Sequence, residues 1–360
     1  MDRDAGRGNW IFVSVRLEDG KELPFFLDTG ASGTCFDKSL EHLLGKRLGT
    51  DTSWHFGAKG DAGMYEAPKL YLGGSLLQMT GPAVATIDLS AAVEKYVGHP
   101  IAGVLGMDVL EHYCIQLDFQ ANTIHFLDSD HADKRGWGRA YALTNVDDAY
   151  PVLRANLAGG DSPGSLIDTG CNGDGWLGAV LFQQWTNRAE SAKPGLASSP
   201  DGLFDGEKYT EMELQRLEDD VGSSGDSHMK VNGIGLRFLA RHLVTLDFPK
   251  RTLYLKRISA GPLLLTVKEQ KREGKSVYRF VANLKKREQL PGWPKGDKLP
   301  KHATFQYHTL NSGTLKFQKE GDALVYHYWV TRPSQNRSWE LKKAWQTDAG
   351  GQTKNEYPVP

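Results

Sequence analysis

The distribution of apolar and polar positions along the chain predicts a mainly β protein. Residues 10–15 and 23–27 are apolar runs separated by the turn residues 18–21, which predicts a hairpin. Leucines share one face of residues 37–48, which predicts a short helix. Residues 151–157 and the Gly-rich residues after them repeat the pattern of a strand followed by a turn.

One short pattern occurs twice. Residues 25–30 read Phe-Phe-Leu-Asp-Thr-Gly, and residues 165–170 read Ser-Leu-Ile-Asp-Thr-Gly. An apolar run that ends in a carboxylate and a glycine is typical of a buried strand that enters a tight turn. The sequence therefore predicts two strands, each of which presents one aspartate at its end.

The segments downstream of the two turns also correspond. Residues 106–119 resemble residues 235–248, and Gly106 and Gly235 stand 129 positions apart, as do Asp118 and Asp247. The two Asp-Thr-Gly turns stand 140 positions apart, so the intervening loops differ in length. This periodicity indicates an internal duplication of one supersecondary unit.

On these motifs the chain resembles an aspartic peptidase, and each half is similar to a retropepsin-like lobe. The resemblance covers residues 9–257 and implies a mainly β, bilobal acid-protease barrel fold with pseudo-two-fold symmetry, related to that of pepsin. It predicts an N-terminal lobe at residues 9–130 and a C-terminal lobe at 140–257. Residues 260–360 are then an accessory domain.

Asp28 and Asp168 are the predicted catalytic residues. Two carboxylates about 3 Å apart share one proton and titrate as a coupled pair. The ionised member can activate a water molecule while the protonated member donates to the substrate, and this is the chemistry of peptide hydrolysis. The predicted function is an aspartic endopeptidase that acts on a peptide or protein, with no metal ion and no cofactor.

The other residues of the two turns are predicted to support this pair. Gly30 and Gly170 allow the turns to approach each other because they have no Cβ atom. The resemblance implies that Thr29 and Thr169 point inward and bond across to the opposite turn.

Candidate substrate-binding residues lie in two Gly-containing hairpins. Residues 54–65 predict a hairpin that would form a flap over the substrate, with Gly57 and Gly60 at a mobile tip and Tyr65 closing on the ligand. A second flap is predicted around Phe204. An exposed Gly-rich loop beside a packed aromatic ring accounts for the same residues without any binding role.

Other functions fit the same residues. The fold could serve as a catalytically silent peptide-binding or regulatory module, or the two turns could be purely structural. A glycosidase is disfavoured, because its paired acids lie about 5–9 Å apart and need no Thr-Gly turns.

The charge distribution separates the last third of the chain from the rest. Residues 256–360 hold 20 Lys and Arg against 9 Asp and Glu, although the whole chain has a net charge of −1. This basic tail could contact an anionic surface. Its pattern predicts a small α+β domain with a helix near residues 277–284 and strands at 314–317, 323–330 and 339–345.

The remaining composition suits a soluble monomer. No apolar run is long enough to span a membrane. The first residues form no apolar signal region, so the chain as given is cytoplasmic, or it is periplasmic or secreted after removal of a signal peptide. Three cysteines form no metal-binding pair and leave open a Cys35–Cys114 disulfide.

Overall fold

The structure is a computed structural model that describes most of the 360 residues. The residues outside the description are 2–4, 8–9, 56–57, 90–100, 147–148, 160–163, 188–200, 211, 213, 218–230, 264, 269–289, 298–301, 310–311, 320, 332–339, 349 and 360. The chain forms two compact units, Met1–Pro262 and Leu263–Pro360. Strands dominate the regular structure of both units, which confirms the mainly β class.

The first sheet has nine strands in the order β4-β5-β8-β3-β9-β2-β1-β6-β7. Their bounds are β1 Phe12–Arg16, β2 Glu22–Leu27, β3 Cys35–Asp37, β4 Arg47–His55, β5 Ala58–Glu66, β6 Tyr71–Leu72, β7 Ser75–Leu76, β8 Ala83–Ile87 and β9 Gly103–Leu105. The helix α1, Met107–Leu110, follows β9. The hairpin predicted at residues 10–27 is confirmed by the pairing of β1 with β2.

The second sheet has ten strands in the order β11-β10-β20-β21-β12-β13-β14-β19-β15-β18. The bounds are β10 Cys114–Asp118, β11 Thr123–Leu127, β12 Arg139–Val146, β13 Tyr150–Leu153, β14 Ser165–Asp168, β15 Gly175–Leu177, β18 Leu214–Arg216, β19 Asn232–Gly235, β20 His242–Asp247 and β21 Thr252–Arg257. A separate hairpin joins β16 Gly202–Phe204 to β17 Glu207–Tyr209, and the helices are α2 Ala179–Asn187 and α3 Leu236–Leu239.

The two halves of the first unit share one strand order. In the first half β1-β2-β9-β3-β8 are successive neighbours, and in the second half β13-β14-β19-β15-β18 are. Both β2 with β9 and β14 with β19 are parallel pairs, so each aspartate-bearing strand has a parallel neighbour that leads into a helix. Each sheet ends in an edge strand at both sides. In the described residues, therefore, no sheet closes into the barrel that the resemblance implied.

A symmetric strand pair connects the halves. β10 and β20 are antiparallel, and Gln116 lies opposite Thr245. These residues are 129 positions apart, the same spacing that relates the two repeats. Each repeat therefore pairs with the corresponding residue of the other at this point, as expected at a two-fold axis.

The burial of β2 explains why its sequence changes from alternating to continuously apolar. Glu22 and Pro24 are exposed and Leu23 is buried, as in a strand with one face in water. Phe25, Phe26 and Leu27 are all buried, because the end of the strand is covered on both faces. Each such side chain contributes roughly 1.5–3 kcal/mol on burial.

The prediction of a helix over residues 37–48 was wrong in extent. The structure has a 3-10 helix at Lys38–Leu43 with no buried residue, and β4 begins at Arg47. The leucines that suggested an amphipathic face, Leu40, Leu43 and Leu44, are only half-buried. Asp37 begins this helix by accepting a hydrogen bond from the Ser39 N–H at 2.9 Å.

The second unit contains a six-stranded antiparallel sheet in the order β22-β23-β24-β25-β26-β27. The bounds are β22 Leu265–Lys268, β23 His302–Thr309, β24 Ser312–Gln318, β25 Val325–Thr331, β26 Glu340–Thr347 and β27 Thr353–Tyr357. The strands predicted at 314–317, 323–330 and 339–345 correspond to β24, β25 and β26. The predicted helix near residues 277–284 lies outside the described residues.

The core of this second unit is aromatic. Phe317, Tyr326 and Tyr328 are buried together, and Trp293 covers them with its ring 4.9 Å from that of Tyr326. Tryptophan and tyrosine at alternate strand positions here serve packing. In the described part of the chain, no helix is long and apolar enough to cross a membrane.

Candidate active site

Two equivalent turns meet between the halves of the first unit. β2 ends at Leu27 and β14 ends at Asp168, so each delivers its aspartate at the end of a buried strand. The Asp28 N–H donates to the Leu105 carbonyl at 3.0 Å, which continues the parallel pairing of β2 with β9. The turns are thus fixed by the central strands of their sheets.

The two threonines bond reciprocally across the interface. The Thr29 N–H donates to the Thr169 hydroxyl oxygen at 3.0 Å, and the Thr169 N–H donates to the Thr29 hydroxyl oxygen at 3.0 Å. Each hydroxyl donates onward, from Thr29 to the Ile167 carbonyl at 2.6 Å and from Thr169 to the Leu27 carbonyl at 2.8 Å. Both threonines are fully buried, so all four bonds are shielded from water. This geometry matches the arrangement that the resemblance implied.

The glycines bring each turn against the opposite carboxylate. A Cβ atom on Gly30 would lie 2.6 Å from an oxygen of Asp168, and one on Gly170 would lie 2.3 Å from an oxygen of Asp28. Real Cβ atoms do not make contacts that short, so the close approach requires glycine. Each glycine also donates its N–H to the aspartate of its own turn, at 2.8 Å for Asp28 and 2.7 Å for Asp168.

The two carboxyl groups form one titrating pair. Burial raises the pKa of Asp28 well above its ordinary value, and the neighbouring charge of Asp168 raises it further. Burial also raises the pKa of Asp168, while N–H donors and the hydrogen bond from Asp28 oppose that rise. Asp28 is only 9% exposed, whereas Asp168 is half-buried. Two such groups hold one shared proton over a wide pH range.

Short helices hold the far side of each turn. The Met107 N–H at the start of α1 donates to the Ala31 carbonyl at 2.8 Å, and the Leu236 N–H at the start of α3 donates to the Cys171 carbonyl at 2.7 Å. The residue before each helix is a glycine that approaches the turn's backbone closely. This explains why the Gly106 and Gly235 segments recur at the same spacing.

The polar support behind the turns differs between the halves. In the first half, the Thr34 hydroxyl donates to Asp108 at 2.7 Å. In the second half the corresponding positions are Asp174 and Arg237, an ion pair at 3.4 Å. Arg241 adds a second ion pair to Asp174 at 2.8 Å, and all three side chains of this second cluster are buried.

Arg241 also connects the second turn to more distant segments. Its guanidinium donates to the Thr210 carbonyl at 2.7 Å and to the Ala260 carbonyl at 2.9 Å. The side chain is completely buried, which is rare for an arginine and is tolerated because it is ion-paired and hydrogen-bonded. The sequence analysis missed this residue, and no local pattern around it signals burial.

The structure places the four flap candidates in different surroundings. Gly57 lies outside the described residues, and Gly60 has open space where a Cβ atom would stand. Tyr65 is buried at the base of the β4–β5 hairpin opposite Arg47, and its hydroxyl donates to Glu41. Neither Gly60 nor Tyr65 has a described contact with the aspartates, and their flap role stays a prediction.

Phe204 belongs to a hairpin that is bonded to the second half. Its ring is buried, 5.3 Å from that of Phe238. The next residues, Asp205 and Gly206, both have positive φ angles, as a two-residue hairpin turn requires. Asp205 accepts a hydrogen bond from the Tyr141 hydroxyl at 2.6 Å, which attaches the turn to β12. The substrate-binding role of Phe204 also stays a prediction.

The three cysteines are free thiols. Cys35 and Cys114 are buried apart from each other, and Cys171 follows Gly170 in the second turn. Burial raises the pKa of the Cys171 thiol above its ordinary value, so the thiol stays neutral and is a poor nucleophile. Within the described residues, no group of three or more His, Cys, Asp or Glu side chains could hold a metal ion.

The match to a known protein family lies in the first half of the first unit. Residues 13–109 match the family model of the aspartyl proteases, and this stretch includes Asp28 but not Asp168. No curated protein matches the chain. A solved structure of basic 7S globulin from soybean is 13% identical, covers 72% of this chain and 94% of its own, and superposes with a TM-score of 0.46. The family match supports an aspartic-protease-like function.

Proposed function

We propose that this protein is an aspartic endopeptidase of retropepsin-like type in which Asp28 and Asp168 are the catalytic pair. The observation that carries the proposal is the reciprocal bonding of Thr29 and Thr169, which brings two buried carboxyl groups together from turns 140 positions apart. The shared strand order of the two halves supports an origin by internal duplication. The family match over residues 13–109 supports the same function.

The chemistry follows from one proton shared between two carboxyl groups. The ionised carboxylate removes a proton from a water molecule as that water attacks the peptide carbonyl carbon. The protonated carboxyl group donates its proton to the carbonyl oxygen, so a neutral tetrahedral diol forms. Collapse of the diol breaks the C–N bond: the protonated acid of the pair gives its proton to the leaving nitrogen, and one diol hydroxyl gives its proton to the ionised acid. A carboxylic acid and an amine are released, and the pair again holds one proton.

The geometry favours this reaction because the acids cannot move independently. Each carboxylate is held by the N–H of its own glycine, and each turn is held by the opposite threonine. Errors of about 1 Å in such placement can reduce the rate about a hundredfold. A rigid pair also keeps the pKa difference between the two acids that the mechanism needs.

The test is cleavage of an unbiased peptide mixture from pH 3 to 7, with the new termini identified by mass spectrometry. The native chain is compared with Asp28→Asn and with Asp168→Asn, which preserve side-chain volume and remove the charge. We expect the native chain to cut and each variant to lose at least about a thousandfold in kcat/KM. Loss in only one variant would show that the other turn is structural, and no cutting by the native chain would favour a binding module.

A further inference from the structure

Trp10 bridges the two halves of the candidate site. β1 pairs with β2 in a register in which Phe12 lies opposite Phe26, and the Leu27 N–H donates to the Ile11 carbonyl at 3.0 Å. Continuing this register by two positions beyond the Phe12–Phe26 pair brings Trp10 opposite Asp28. The indole N–H of Trp10 donates to the Gly170 carbonyl of the other turn. One side chain therefore connects the strand of the first aspartate to the turn of the second.

The acceptor belongs to a peptide group that also contacts the second aspartate. The Gly170 carbonyl and the Cys171 N–H are parts of one planar trans peptide, in which C=O and N–H point in opposite directions. The Cys171 N–H donates to the carboxylate of Asp168 at 3.1 Å. This peptide is thus held at its oxygen by Trp10 and at its N–H by Asp168. Hydrogen bonding at the oxygen also polarises the group and strengthens its N–H as a donor.

The first turn differs at the equivalent peptide. In both turns this peptide N–H donates to the backbone carbonyl of the aspartate at 3.4 Å, from Ala31 to Asp28 and from Cys171 to Asp168. Among the described contacts, the Cys171 N–H also donates to the carboxylate of its aspartate, and no such bond is described for the Ala31 N–H. A carboxylate keeps its charge more readily when N–H groups donate to it, and the Gly170 and Cys171 N–H groups both donate to Asp168.

We propose that Trp10 is a positioning residue that fixes the Gly170–Cys171 peptide, so that the Cys171 N–H favours Asp168 as the ionised member of the pair. This inference rests on the proposed function, because it assigns the base to Asp168 and the acid to Asp28. The two Asp-Thr-Gly motifs, although identical in sequence, then have different roles.

The indole is placed by packing as well as by its hydrogen bond. Trp10 is half-buried against a cluster that includes Phe26, with the two rings 6.2 Å apart. A phenylalanine at position 10 can keep much of this contact and lose only the donor. The substitution Trp10→Phe therefore separates the hydrogen bond from the packing.

The other titratable groups near the pair are neutral in acid or already bonded to other residues. The contacts of Trp10 and Cys171 therefore decide which aspartate is ionised. The thiols of Cys35 and Cys171 stay neutral in acid, because burial raises the pKa of each. Asp108 is hydrogen-bonded to Thr34, and Asp174 is ion-paired with buried arginines.

The experiment measures the first ionisation of the pair in the native chain and in Trp10→Phe. Carbon-13 NMR of labelled aspartate carboxyl groups follows the titration directly, and the pH dependence of kcat/KM follows it through activity. Removing the indole donor weakens the Cys171 N–H contact, so the lower pKa of the pair rises by about half a unit, a factor of about three in protonation. The acidic limb of the activity profile moves to higher pH by the same amount, and KM changes little.

Trp137→Phe is the matched control. Trp137 is buried and packs on Tyr254 with ring centres 5.1 Å apart, away from both turns, so this variant keeps the native titration. If Trp10→Phe does not fold, a chain with benzothienylalanine at position 10 replaces only the indole N–H by sulfur, and the same shift is expected.

The two readouts separate this inference from the proposed function. A native chain that does not cut peptides contradicts the proposed function, but the NMR titration still reports the lower pKa of the pair. A raised lower pKa in Trp10→Phe supports the positioning role whether or not the chain cuts. An unchanged or lowered value in Trp10→Phe, or an equal shift in Trp137→Phe, would overturn it.

Discussion

The two turns of the first unit have the same backbone frame but different polar support. In both, a buried strand carries the aspartate and a parallel neighbour leads into a short helix. Behind the first turn Thr34 bonds to Asp108, whereas behind the second Asp174 is paired with Arg237 and Arg241. The two halves therefore keep the same strand order around the aspartates. They differ in the side chains that support each turn from behind.

This difference has an energetic consequence. In the first cluster the Asp108 carboxylate can be protonated, and its neutral partner Thr34 is then left without any buried charge. The second cluster cannot become neutral in this way, because its two guanidinium groups remain charged at any relevant pH and are buried beside the Asp174 carboxylate. The second turn should therefore depend on its support more strongly than the first.

The largest expected effect comes from breaking the second cluster. Asp174→Asn removes a buried carboxylate that pairs with two buried arginines and should lower the free energy of unfolding by about 3–5 kcal/mol. Asp108→Asn, the corresponding change in the first half, should cost about 1 kcal/mol because the Thr34 contact can persist. Urea titration of both variants measures the difference, and equal losses would contradict the comparison.

The threonine bonds should give a smaller effect that is equal in the two halves. Thr29→Val and Thr169→Val each remove a hydroxyl that accepts one N–H and donates to one carbonyl across the interface. Each variant should lose about 1–3 kcal/mol of stability and a further factor of about ten to a hundred in kcat. Serine at either position keeps the hydroxyl and should restore most of both. Strongly unequal losses from the two valine variants would show that the bonds are not reciprocal in solution.

The raised pKa of Asp28 predicts a pH-dependent stability. A folded-state pKa above the ordinary value means that the protonated carboxyl group is favoured by folding, so its contribution is full below pH 3.8. This contribution is lost as the pH rises through the raised folded-state pKa, at about 1.4 kcal/mol for each unit of the shift.

Asp28→Asn removes that ionisation and should therefore be more stable than the native chain at pH 7 but not at pH 3. Thermal unfolding of both proteins between these values measures the divergence. If the stabilities of the two proteins changed in parallel with pH, ionisation of the buried Asp28 would not affect folding.

The smallest expected effect concerns the strand pair at the symmetry axis. Gln116 donates a hydrogen bond to the Thr245 hydroxyl at 2.9 Å, but its side chain is only half-buried. Gln116→Ala should cost about 1 kcal/mol or less, because water can replace the lost partner. If Gln116→Ala lost more stability than the valine variants, the β10–β20 pair and not the threonine bonds would be the main contact between the repeats.

The strands and the inner residues of the site could be predicted because their signals are local. The apolar runs before Asp28 and Asp168 and the glycines after them lie within a few residues of each other. The contacts of Thr29 and Thr169 followed from the family resemblance. The helix predicted over residues 37–48 failed because leucine spacing does not show whether a core covers that face.

The supporting residues could not be predicted because their partners are remote in sequence. Trp10 lies 160 positions from Gly170, and Arg241 lies 67 positions from Asp174. An aromatic residue at the start of a strand and an arginine after a short helix are common, and nothing local distinguishes these two. Only the folded arrangement shows that both hold the second turn.

The central claim is that Asp28 and Asp168 form one proton-sharing pair. Its most direct test is a carbon-13 NMR titration of the two carboxyl groups in the native chain, in Asp28→Asn and in Asp168→Asn. The account predicts that each native resonance reports two coupled steps, one of them well above the ordinary range, and that either substitution leaves a single step for the remaining acid. Two independent titrations near the ordinary value, each unaffected by loss of the other acid, would contradict it.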